Sequence, residues 1–221
     1  MATDNKNNII ESMKLAGKSL GLFATITGGI VAITFSLTED RIIENERQAL
    51  LRNLHMLIKP AMHDNDLYAD TLVLNDKKLA YRNKPFTIYR ARKNNKPVAA
   101  IFSVTAPDGY SGAIKMLVAI KTDNTLAGVR VINHHETPGL GDAIDIEKSD
   151  WIKIFDGKSL NNPEESRWFV KKDGGDFDQL TGATITPRAI VKMTKKTLQF
   201  YQSHHDIVFV ESTTGKPNGR D

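Results

Sequence analysis

The chain has 221 residues, 40% of them hydrophobic and 25% charged, so it holds enough apolar side chains for a core without covalent staples. It has no cysteine, which excludes disulfides, thiolate metal sites, iron–sulfur ligation and cysteine nucleophiles. The net charge is only +4 and is scattered without a Lys/Arg run, so no nucleic-acid surface is expected.

Residues 19–37, SLGLFATITGGIVAITFSL, carry no charge. A helix over this stretch roughly matches the ~30 Å hydrocarbon core of a bilayer. Lys14 and Lys18 precede it, and Glu39, Asp40 and Arg41 follow. That asymmetry predicts a cytoplasmic N-terminus over 1–18, a transmembrane helix over 19–37, and the bulk of the chain on the far side of the membrane. The apolar run ends in Phe35-Ser36-Leu37-Thr38, a poor candidate for the small-residue cleavage site of a signal peptide. The segment therefore reads as a retained anchor. Gly17, Gly21, Gly28 and Gly29 would let another helix approach closely, a hint of membrane partners.

Over 41–58 the helical period persists, with Ile43, Leu50, Leu54, Leu57 and Ile58 on one face, until Pro60 ends it. The anchor is expected to continue as a stalk helix over 38–60. Residues 65–84 give no assignment. Four strand-like runs then follow, over 86–91, 97–105, 113–121 and 125–132. They are rich in Val, Ile, Thr and Tyr and are separated by Asn94-Asn95, Asp108-Gly109 and Asp123-Asn124 turns. Their short spacing predicts an antiparallel meander. Short helical pieces are expected around 151–155, a further strand over 167–171, and a helix from Pro187 to about Ser203 with Thr186 as its N-cap. The fold class is α+β, with a domain over 61–210 and a flexible tail over 211–221.

Just before that last helix stands Asp178-Gln179-Leu180-Thr181-Gly182-Ala183-Thr184. Gly182 and Ala183 leave the backbone open to a large ligand, and Thr181 and Thr184 flank them with hydroxyls. A helix N-terminus directs N–H groups and a positive dipole end at this turn, a ready phosphate site. The residues by themselves fit equally an ordinary glycine turn before a capped helix. A second block, His135-Glu136-Thr137-Pro138-Gly139-Leu140-Gly141, makes a rigid, low-bulk loop that a flat ring could approach, with Glu136 and Thr137 able to hydrogen-bond to it. A third, Gly109-Tyr110-Ser111-Gly112, precedes a strand. His134-His135 and His204-His205 lack a third ligand at convincing spacing, so no metal is expected. Trp151 and Trp168 read as core or membrane-interface residues rather than ring stackers.

The 178–184 segment resembles the flavinylation motif Asp-x-x-(Ser/Thr)-Gly-Ala-(Ser/Thr) of the FMN-binding domain family. The resemblance implies that Thr184 receives FMN through a phosphoester, transferred from FAD by a flavin transferase. It matches Asp178, Thr181, Gly182 and Ala183 to the rest of the motif. It further implies that the loop Glu136, Thr137, Pro138, Gly139, Leu140, Gly141 lies beside the flavin, and that Gly109 and Tyr110 belong to the family's Gly-Tyr-x-Gly turn. The three blocks, in this order behind an N-terminal anchor, resemble within that family the G subunits of Rnf-type ion-translocating electron-transport complexes. The resemblance covers the chain to about Val210. The implied role is an electron-relay subunit among other membrane subunits of a bacterial inner-membrane complex, with its domain in the periplasm. Rival expectations are the related C subunit of sodium-pumping NADH:quinone reductase, a freestanding membrane-anchored flavin reductase, and a flavin-free structural subunit.

Overall fold

A computed structural model describes residues 2–210, and the tail expected over 211–221 lies outside them. One helix, α1, runs without interruption over Ala2–Leu57. Its residues up to Ala49 form one compact unit, and the chain from Leu50 onward forms a second. In the first unit the apolar side chains Leu20, Phe23, Ile26, Ile30, Ile33 and Leu37 are all exposed. The threonine hydroxyls within this stretch turn back on their own helix. Thr25, Thr27 and Thr34 each donate to the carbonyl four residues earlier, at 2.8, 2.7 and 2.8 Å. Such bonding lets hydroxyl side chains sit in hydrocarbon without an unmet donor. The helix is long and apolar enough to cross a membrane.

The second unit is built on a five-strand antiparallel sheet in simple sequential order. The strands are β1 (Thr71–Leu74), β2 (Phe86–Lys93), β3 (Lys96–Ala106), β4 (Ile114–Lys121) and β5 (Leu126–Asn133). The expected meander is therefore present, with one more strand than the four anticipated, because β1 falls in the unassigned 65–84 stretch. Asn94 and Asn95 both adopt positive φ, 51° and 61°, in the two-residue turn that pairs Lys93 with Lys96. Asparagine tolerates that left-handed geometry, which suits the twist of a tight hairpin.

Alternation along the strands divides two cores. Ile88, Phe102, Val104, Met116, Val118 and Val129 face one side, with Ala189, Ile190, Leu198 and Tyr201 of the helix α2 (Ile185–Val208) in the same cluster. Ala91, Ala99, Ile101, Leu117 and Ala119 face the other side, with Leu54, Leu57 and Ile58. The end of α1 is thus part of the globular core, which takes in the chain from Leu50 rather than from residue 61. Burial of these three apolar side chains contributes on the order of several kcal/mol.

Two local expectations need correction. Residues 167–171 form no strand. A 3₁₀ turn spans Glu165–Arg167, another spans Lys171–Asp173, and Val170 makes only an isolated bridge to Phe177. Trp168 turns inward against Phe155 and Phe177, with ring centroids 6.4 and 4.6 Å away, and Gly174 reverses the chain at φ 83°. The β-like composition there serves an aromatic cluster, not a ladder. The last helix begins at Ile185, so Thr184 occupies the N-cap position and Thr186 is already inside. Pro187 is third in the helix, where an N–H would still lack an intrahelical acceptor. The regular helix ends as expected near Ser203, since His204 has non-helical angles (φ −133°, ψ 21°) and a short continuation runs to Val208.

Candidate functional site

Sheet topology brings the three sequence blocks together. The 107–113 turn joins β3 to β4, and the loop beginning at residue 134 leaves the end of β5. Lys115 at the start of β4 pairs with Asn133 at the end of β5, so both segments emerge from the same end of the sheet. The start of α2 reaches this end as well. Tyr110, Glu136, Thr137, Leu140, Gly141, Gly182, Ala183, Thr184, Ile185 and Thr186 line one cavity of about 440 Å³, within the range of small-molecule and cofactor sites.

Each segment has a local reason for its shape. The Thr137 carbonyl accepts from the N–H groups of Leu140, Gly141 and Asp142, at 3.2, 3.1 and 3.4 Å, which curls the loop tightly. Gly139 takes φ 77° in that curl, a conformation that glycine adopts without steric cost. In the turn before α2 the Ala183 N–H donates to the Leu180 carbonyl at 3.1 Å. Gly182 there has φ 78°, and a Cβ on it would stand 3.0 Å from Leu140 Cδ2. A side chain there would carry left-handed strain and press on the end of the Leu140 side chain.

Thr184 is half-buried at the N-cap of α2, yet its side chain makes no capping hydrogen bond. Its hydroxyl is therefore not engaged by its own helix. The first-turn N–H groups of α2 have no intrahelical acceptors, and with the helix dipole they favour an anion at this end. Tyr110, Leu140 and Ile185 are exposed apolar side chains around the cavity. A phosphate-favouring helix end, a free hydroxyl, a glycine-lined floor and an apolar rim fit the phosphate and flat ring of FMN.

Glu136 is placed differently from a simple ring ligand. It is only 4% exposed. Its Oε1 accepts from the Ser111 N–H at 3.0 Å, and its Oε2 accepts from the Thr186 hydroxyl in a short bond. Its own N–H donates to His134 Nδ1 at 3.1 Å. Sequence reasoning sets Ser111 in the third block and Thr186 at a helix cap, but ties neither to Glu136. Their signal is a partner 25 and 50 residues away.

The remaining motif positions stand outside the cavity lining. Gly109 backs onto Glu136, where an added Cβ would lie 2.9 Å from Oε1. Pro138, Gly139 and Thr181 are exposed. Asp178 carries an exposed carboxylate paired with Lys171 at 2.6 Å, and its carbonyl accepts the Trp151 indole N–H at 2.8 Å. On the outer side of α2, Arg188 bonds Asp173 and holds its carboxyl below the usual carboxylate range.

Comparison with known proteins agrees with this geometry. Residues 109–199 match the FMN-binding domain, and residues 1–57 match the RnfG N-terminal region. These define the class: an FMN-binding domain behind an N-terminal apolar helix. Relatives similar over nearly the whole chain are each named as the G subunit of an ion-translocating oxidoreductase complex. That of Shewanella baltica is 46% identical over 92% of this chain and 94% of its own length. That of Photorhabdus laumondii is 46% identical over 88% and 93%, and that of Pseudoalteromonas atlantica 45% over 89% and 91%. The chain belongs to the family of G subunits of ion-translocating oxidoreductase complexes.

Proposed function

We propose that the protein carries FMN on Thr184 and relays electrons between other subunits of an ion-translocating complex. The observation that carries this reading is the Thr184 side chain, which lines the cavity from the α2 N-cap without capping the helix. A capping threonine would have its oxygen committed to a backbone N–H. In the loading reaction, Thr184 Oγ1 attacks the FMN phosphorus of FAD. The Oγ1–P bond forms, the bond to AMP breaks, AMP departs, and the hydroxyl proton passes to base on the flavin transferase. Bound FMN supplies chemistry that accepts and gives one or two electrons, while the protein fixes its position and surroundings. Esterification keeps the cofactor from escaping into an open compartment.

The span over 19–37 anchors the chain, residues 1–18 stay in the cytoplasm, the helix over 38–49 forms a stalk, and the domain over 50–210 faces the periplasm. Lys14 and Lys18 before the span support that orientation. Gly182 and Ala183 give the flavin access to the backbone, with Tyr110, Thr137 and Leu140 near its ring. Asp178 and Thr181 lie outside the cavity, on the face open to an approaching transferase.

Intact-mass analysis tests the assignment. Protein produced with a flavin transferase should carry one FMN, less water, on Thr184. Thr184→Ala should abolish the adduct and Thr184→Ser should retain part of it, because a hydroxyl remains. An adduct that persists in the Ala variant would place the linkage elsewhere.

A further inference from the structure

Thr184 has no capping bond of its own to hold it, and something else must set its orientation. Two residues further on, within the same helical turn, Thr186 is fully buried and donates its hydroxyl to Glu136 Oε2. The other oxygen of that carboxylate accepts the Ser111 N–H at 3.0 Å. One buried side chain thus joins the β3–β4 turn, the loop after β5 and the first turn of α2. The surroundings are shaped to it. An added Cβ on Gly141 would stand 2.9 Å from Oε2 and 3.2 Å from Thr186 Oγ1, and one on Gly109, which first meets the Gly112 carbonyl at 2.2 Å, would also stand 2.9 Å from Oε1. A buried carboxylate is costly unless its oxygens are hydrogen-bonded. Here both are, and the positive end of α2 adds a favourable field.

We infer that Glu136 is a positioning residue, a clasp that holds Thr186 so that Thr184 Oγ1 already faces the cavity before FMN arrives. The inference rests on Thr184 as the acceptor, but it concerns the unloaded chain. Its chemistry is that of a tie: both oxygens accept donors from the protein itself. Pro187, with its fixed φ, stiffens the same turn.

The test uses the detergent-solubilised full-length chain, purified without flavin. Loading by a purified flavin transferase with FAD is followed in time, and amide hydrogen exchange is measured over 182–188 with no transferase present. Thr186→Val keeps the shape but removes the donor. We expect loading at least ten-fold slower and faster exchange over 182–188, with the helical circular-dichroism signal retained. Thr186→Ser should restore most of both. Glu136→Asp, one methylene shorter, keeps the charge but cannot reach both donors, and should also slow loading and speed exchange. It is the deciding variant if the Val protein does not fold. Wild-type loading and exchange in Thr186→Val or Glu136→Asp would overturn the clasp. Slow loading with unchanged exchange would also overturn it, because the transferase would then be reading these side chains directly. If the wild type itself takes no FMN on Thr184, the acceptor assignment fails, and the exchange data alone decide the clasp.

Discussion

Two glycines of one loop, Gly139 and Gly141, should respond differently to the same added methyl. At Gly141 a Cβ would meet Glu136 Oε2 at 2.9 Å, Glu136 Cβ at 3.0 Å and Thr186 Oγ1 at 3.2 Å. These lie a few tenths of an ångström inside ordinary contact, and Glu136 cannot swing aside because both oxygens are held. Overpacking of a well-filled site costs about 1–3 kcal/mol. Loosening a hydrogen bond to a charged group adds up to about 2 kcal/mol, and the stiffer unfolded chain returns roughly 0.5 kcal/mol. Gly141→Ala should therefore lose about 2–3 kcal/mol and load FMN more slowly. Among the described residues nothing lies within 4 Å of a Cβ added to Gly139, but its φ is 77°. Gly139→Ala should lose about 1 kcal/mol from left-handed strain alone, with FMN loading unchanged, and Gly139→Asn should lose less. Chemical denaturation of the full-length chain in detergent, followed by the fluorescence of Trp151 and Trp168, measures both. If Gly141→Ala proves as stable as Gly139→Ala, the crowding argument is refuted.

Two further predictions concern features away from that loop. Tyr201 is buried, its hydroxyl has no hydrogen-bond partner among the described residues, and burial pushes its pKa up to about 12, with Asp123 nearby as a lesser cause. The folded chain keeps this proton between pH 10 and 12 while the unfolded chain gives it up, so stability is full below pH 10 and falls as pH rises, by on the order of 2 kcal/mol. Tyr201→Phe should remove that part of the alkaline loss yet stay within about 1 kcal/mol of wild type at pH 7; a much larger neutral-pH loss would reveal a partner for the hydroxyl. For topology, a reporter active only in the periplasm should work when fused after Gly215, and protease added outside spheroplasts should digest the domain. Full protection with a cleaved N-terminus would reverse the orientation.

Much of this fold is legible in the residues because strand alternation and hairpin chemistry are local. Ile88, Phe102 and Val118 announce one face of the sheet by period two, and Asn94-Asn95 announces its own turn. β1 is not legible in this way because it is a four-residue edge strand, too short to display a period. The segment around Trp168, Phe169 and Val170 imitates a strand because aromatic and β-branched residues enrich both strands and cores. What decides between them is Phe155 and Phe177, whose proximity is tertiary. The Thr186-Pro187 pair imitates a cap followed by a first helical proline. Its hydroxyl goes instead to Glu136, fifty residues earlier. The low-bulk motif residues Gly182 and Ala183 and the loop residues Leu140 and Gly141 do converge on one cavity.

On the proposed attachment at Thr184, the same geometry gives a reason for the motif to extend beyond the cavity. Gly182 to Thr184 face inward, where the requirement is room and a hydroxyl. Asp178 faces outward, its backbone fixed by the Trp151 indole and its carboxylate exposed beside Lys171. Phe177, next to it, is 3% exposed and stacks on Phe155 at 5.1 Å, so the segment leaves a rigid aromatic core immediately before it turns toward the site. The turn is thus pinned at both ends, by the aromatic cluster at residues 177–178 and by the Glu136 carboxylate at Thr186. Between the pins lie Gly182, at positive φ, and Thr184, whose hydroxyl its helix does not use. In the proposed loading, an acceptor on a freely moving loop would lose orientational entropy at each encounter with a transferase. One held between two pins has already lost it.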